Sequence, residues 1–123
     1  MSVLHGNISW NEIKKIVEEK IGGGMKVQGD GEVVRLGSGQ LVVLNIQDGT
    51  EAYYGTLYIN SFHGSGVKTY LYDSAATPIT TLDIPIPTND FPVKIENLLF
   101  SAVDTIDPNN GYAHFVGYKL TLS

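Results

Sequence analysis

Cysteine is absent from this 123-residue chain, which excludes disulfides, thiol nucleophiles and cysteine metal sites and fits a reducing compartment. Basic charge is scarce. Eight lysines and arginines stand against 13 acids, giving a net charge of -5, and Lys14-Lys15 is the only adjacent basic pair. Such a chain repels phosphate backbones and offers no electrostatic footprint for nucleic acid. No apolar run approaches membrane-spanning length, and Met1 to Asn7 lack the basic and apolar regions of a secretory signal. The expected location is therefore a cytoplasm, with no membrane contact.

Recognisable catalytic patterns are missing too. His5, His63 and His114 are far apart and have no zinc spacing. Gly37-Ser38-Gly39 and Gly64-Ser65-Gly66 lack the Gly-x-Ser-x-Gly spacing of a nucleophile elbow, so the segment around His63 reads as a turn. Gly22-Gly23-Gly24 and Gly29-Asp30-Gly31 do not join a strand to a following helix as a phosphate loop does. Asp104 to Gly111 gathers oxygen ligands but lacks the closing glutamate of a calcium loop, and its Asp-Pro and Asn-Gly pairs form ordinary turns. The expectation is a non-enzymatic protein with no cofactor and no metal.

What is present is an ordered β composition: 42% hydrophobic and 17% charged residues, with 14 glycines and 7 tyrosines. The length suits one domain. Residues 1–24 form an N-terminal segment with a helix over 9–21 and a glycine hinge; residues 25–123 form the β body. Ser9 and Glu12 make a capping box, and Ile8 and Ile13 occupy the staple positions. Trp10, Ile13, Ile16, Val17 and Ile21 then recur at helical spacing as one apolar stripe, with Gly22 as the C-terminal cap. So short a helix is marginal alone and has to pack on something. Two surfaces qualify, its own sandwich or a neighbouring subunit, and the stripe is the candidate oligomer or partner contact.

Short Val-, Ile-, Tyr- and Thr-rich runs between turn signals predict an all-β fold, an antiparallel, jelly-roll-like sandwich of about eight strands. The strands fall near 25–28, 32–36, 40–47, 52–62, 66–73, 79–86, 93–102 and 112–122. Hairpins are expected at Gly29-Asp30-Gly31, Gly37-Ser38-Gly39 and Asp48-Gly49, making successive strands neighbours. Pro85 and Pro87 put the strand near 79–86 at an edge, whereas apolar bulk on both faces of Tyr112 to Leu122 makes that strand central. If the strands flanking Gly64 to Gly66 pair, Tyr58, Tyr70 and Tyr72 share one face, a candidate ligand face for a glycan.

The layout of N-terminal helix, glycine hinge and Cys-free, Tyr-, Thr- and Gly-rich sandwich resembles small virion proteins of tailed phages and related viruses, of the head-decoration or tail-attachment kind. The resemblance implies a structural homo-oligomer, often a trimer, or a part of a larger assembly. Beside it stands the carbohydrate-binding module that the tyrosines suggest.

Overall fold

The computed structural model describes residues 10–38, 51–63, 66–73, 77–86, 90–104 and 111–123. The strand expected at 40–47, the turns at Gly39 and Asp48-Gly49, the Ser9 cap and the loop at 105–110 lie outside them. One helix, α1 (Trp10–Ile21), precedes seven described strands: β1 (Val27–Gly37), β2 (Glu51–Phe62), β3 (Gly66–Tyr72), β4 (Pro78–Pro85), β5 (Val93–Phe100), β6 (Ala102–Asp104) and β7 (Gly111–Leu122). They form two antiparallel sheets, one in the order β1-β7-β2-β5 and the other in the order β4-β3-β6. The chain alternates between the sheets after β2, β4, β5 and β6, as in a jelly roll. The expected all-β sandwich is the fold.

Two expectations about connectivity are corrected. The glycines at 29 and 31 do not separate two strands; they lie within β1, where the register against β7 shifts between Gln28 and Glu32. Gly29 takes φ +60, a conformation that serves a bulge as well as a hairpin turn. At Gly31, a Cβ would overlap the Trp10 ring, so the small residue makes room for the helix. Successive strands are also not always neighbours. β7 lies between β1 and β2, while β2 and β3 belong to different sheets. β4 is an edge strand and β7 a central one, in line with the proline and apolar patterns.

Alternation along β2 and β7 gives the four-stranded sheet an inner and an outer face. The inner face packs Tyr53, Leu57, Ile59, Phe100 and Phe115 against Val67 and Val103 of the second sheet. Phe115 meets Phe100 edge-on at 5.3 Å and Tyr53 at 6.1 Å. Its ring lies over the paired glycines Gly55 and Gly117; a Cβ on Gly117 would sit 2.7 Å from the Phe115 ring. Burying each such side chain contributes about 1.5–3 kcal/mol. The sheets are also tied by hydrogen bonds where β5 passes into β6: the Ser101 N–H donates to the Tyr70 carbonyl at 2.6 Å, and the Tyr72 N–H donates to Ser101 Oγ at 3.1 Å.

The helix covers one half of the outer face of the same chain. Ile13, Val17 and Ile21 are buried with Val27, Ala52, Tyr54, Leu120 and Leu122, and Trp10 and Ile16 pack at the margin. Trp10 stacks obliquely on Tyr118 at 5.5 Å, and its indole N–H donates to the Gly29 carbonyl at 3.1 Å. The stripe read as an oligomer contact is therefore spent within the subunit. The glycine segment is a turn: Gly22, Gly23 and Gly24 all have positive φ, the Met25 N–H donates to the Gly22 carbonyl at 3.3 Å, and Glu18 accepts from the Val27 N–H at 2.9 Å. That turn returns the chain beneath its own helix. Among the described residues no helix is long and apolar enough to cross a membrane.

Candidate functional site

Beyond the helix, no described element covers the outer face of the four-stranded sheet. Register places Tyr58 opposite His114, and Gly37 and Arg35 opposite His114 and Val116 from the other side. Side chains two apart on a strand share a face, so β2 contributes Tyr58 and Asn60, β7 contributes Tyr112 and His114, and β1 contributes Arg35. The end of β1 is held in place by Ser38, whose Oγ accepts from the Ala113 N–H at 2.8 Å and donates to the Ala113 carbonyl at 3.1 Å.

The Tyr58 and His114 rings stack at 4.6 Å with 8° between their planes. Nδ1 of His114 lies 2.9 Å from Oδ1 of Asn60. A carbonyl oxygen can only accept, so Nδ1 is the donor in this pair; in the neutral ring Nε2 is then an acceptor, and the Asn60 amide N–H groups are donors. The imidazole is thus held in plane by groups of its own sheet. Beside it lies a concavity of about 450 Å³ lined by Arg35, Leu36, Gly37, Asn60, Tyr112 and His114. Gly37 contributes no side chain to it, and Tyr112, 60% exposed, presents an aromatic face at its rim.

Charge sharpens the picture. Arg35 is the only arginine in the chain. It is exposed, and no carboxylate is among the described residues that line the concavity. Elsewhere cations meet acids: Lys119 bonds Glu51 at 3.0 Å and Lys68 pairs with Asp83 at 3.6 Å. The hydrogen bond to Glu51 holds the Lys119 amine above the usual lysine range, whereas burial raises the Tyr53 and Tyr54 phenols. The arrangement around Arg35 can present a cation, amide and hydroxyl donors, one acceptor and a ring face to a small polar molecule. Among the described residues no group of three or more His, Asp and Glu side chains is placed to hold a metal.

A second concavity, about 230 Å³, opens under β4 and is lined by Lys20, Thr69, Leu71, Thr80, Leu82 and residues 97–99 of β5. β4 overhangs it. The strand is exposed at every position but Ile84. By register with β3, Ile79 lies on the outer side with Tyr70, while Leu82 faces the cleft opposite Thr69. They are 40% and 44% exposed, so each side of this strand shows a large apolar side chain to solvent.

The tyrosine patch expected from sequence does not form as one surface. Tyr58 is on the four-stranded sheet, while Tyr70 and Tyr72 stack on each other at 6.1 Å on the three-stranded one. The chain changes sheets between β2 and β3, so the assumption of hairpin pairing fails. Sequence reading set His114 aside as a surface or strand residue, counted Tyr112 only among the tyrosines at large, and did not single out Arg35. The signal for Tyr112 and His114 was their shared face in β7, which becomes a site only once β7 is known to lie between β1, with Arg35, and β2. The chain matches no family model, no curated protein and no solved structure. Fold and site define a jelly-roll-like sandwich with one covered and one open outer half-face and an exposed edge strand.

Proposed function

We propose that this chain is a non-enzymatic structural protein that self-associates through β4 within a larger assembly, in keeping with the decoration or attachment proteins of virions that its layout resembles. One observation carries the reading: β4 hydrogen-bonds β3 on one side, has no strand on the other among the described residues, and exposes Ile79 and Leu82 on its opposite faces. Edge strands are usually blunted by lysines, prolines, bulges or inward charges. β4 carries its prolines only at its two ends, Pro78 and Pro85, its register with β3 shifts only near Pro78, and its single charged residue, Asp83, pairs with Lys68, so residues 79–84 between the prolines keep their backbone N–H groups. A second copy adding its own edge supplies ladder partners and covers both leucine and isoleucine. Viral capsids and lectins both use jelly rolls, and that fold-level analogy adds only a little weight.

Light scattering across a concentration series tests this. An oligomer that becomes monomeric with Ile79→Lys or Thr81→Pro, both variants retaining the wild-type melting behaviour, supports it. A dimer fits β4 meeting β4, and a trimer fits β4 meeting a different edge of the next copy. A wild-type chain that stays monomeric at high concentration overturns it.

A carbohydrate-binding module is the second reading, favoured by the Tyr58 and His114 platform with its adjoining concavity. The two readings use different surfaces, so one protein can serve both.

A further inference from the structure

We infer that the concavity beside Tyr58 and His114 takes an acidic saccharide, a sugar ring carrying a carboxylate. This rests on the carbohydrate-binding reading and specifies its ligand. Three features of the site point the same way.

The first is the guanidinium. A planar fork of N–H donors matches a carboxylate two bonds at a time, and Arg35 stands exposed with no acid among the described residues of the lining. In a chain of net charge -5, this lone arginine is a cation that an anionic ligand can pair with. The second feature is the aromatic surface. Tyr112 projects 60% exposed at the rim, an amphipathic ring with a face for sugar C–H groups and a hydroxyl for hydrogen bonding. A bare inorganic anion has no use for such a face.

The third is the polar pair at the floor. With Nδ1 of His114 donating to Asn60 at 2.9 Å, the neutral ring offers Nε2 as an acceptor beside the donors of the Asn60 amide, which suits vicinal hydroxyls that donate and accept at once. The stack on Tyr58 holds the imidazole in one plane before any ligand arrives, so little ordering is needed on binding. The volume, about 450 Å³, falls in the range of small-molecule sites.

The test is an amide-resonance titration of the isotope-labelled full chain with 3′-sialyllactose, a glucuronate-terminated disaccharide, lactose and acetate. The expected result is saturable shifts at residues 35–37, 60 and 112–114 with one or both acidic sugars, and binding at least tenfold weaker for lactose and for acetate. Arg35→Gln should weaken the acidic sugar about ten- to hundredfold, the loss of a charge-assisted pair, while leaving any residual lactose shifts in place. Tyr112→Ser should weaken every sugar and leave acetate unaffected. Equal binding of lactose and the acidic sugars at these residues overturns the acidic class but keeps the glycan reading. Acetate binding as tightly as the acidic sugars overturns the saccharide assignment in favour of a simple anion site. No shift with any sugar overturns the inference together with the carbohydrate-binding reading.

Discussion

The two halves of the outer face of the four-stranded sheet run along the same strands, β1, β7 and β2, yet one is roofed by α1 and the other is bare of any described element. In the roofed half, Ala52, Tyr54, Leu120 and Leu122 form a surface that water cannot solvate well, and Ile13, Val17 and Ile21 cover it. In the bare half the cross-strand partners satisfy one another: Tyr58 stacks on His114, and His114 bonds Asn60. The contrast teaches that a sheet face left open for a ligand must hold its own side chains in place. Cover does that work where the residues are apolar. Thr56 sits between the halves, fully buried, with a hydroxyl that has no hydrogen-bond partner.

The largest expected effect tests the roofed half. Val17 is 0% exposed, so Val17→Asp puts an uncompensated charge under the helix and should cost about 4 kcal/mol or more, read from urea unfolding. A cost near zero would mean that the helix does not need the sheet, and the comparison would collapse. A more gradual effect comes with alkali. The folded-state values of Tyr53, Tyr54 and Lys119 are raised, so above about pH 10 the unfolded chain releases these protons first. Stability is thus full below that pH and declines as the pH climbs through the folded-state values. A melting temperature unchanged between pH 9 and pH 11 would contradict it.

At the boundary, Thr56→Val removes an unpartnered hydroxyl at nearly constant shape and should stabilise the chain by about 1 kcal/mol. A loss instead would reveal a partner for that oxygen. The smallest effect belongs to the bare half: Tyr112→Ser, at a 60% exposed position, should move stability by no more than about 0.5 kcal/mol while reducing sugar binding. If it destabilised as strongly as Val17→Asp, the two halves would not differ in kind.

Sequence patterns anticipated the parts of this fold that are set locally. The stripe from Trp10 to Ile21 gives a helix whose buried residues are Ile13, Val17 and Ile21. Prolines mark β4 as an edge, and apolar residues on both faces mark β7 as central. Placement was less legible, because burying the stripe within the subunit or between subunits calls for the same residues. Gly29 illustrates a second limit, since a positive φ serves a hairpin and a bulge alike. The candidate site was the least legible part. Asn60 and His114 are 54 residues apart, and only the pairing of β2 with β7 brings them together.

That pairing has a consequence for how the chain acquires its shape. β7, the last strand in the order of the chain, occupies an inner place in its sheet, with β1 and β2 on either side. Neither ladder can begin until Gly111 to Leu122 has been synthesised, and Val27 must find Leu122 across most of the length of the chain. Distant closures of this kind slow folding, because the entropy of the loop is lost before the contacts form. On the ribosome the earlier strands therefore wait with open edges. The sheet, the helix dock and the Tyr58 and His114 platform are completed in a single late step, when β7 enters between strands that have no direct contact with each other.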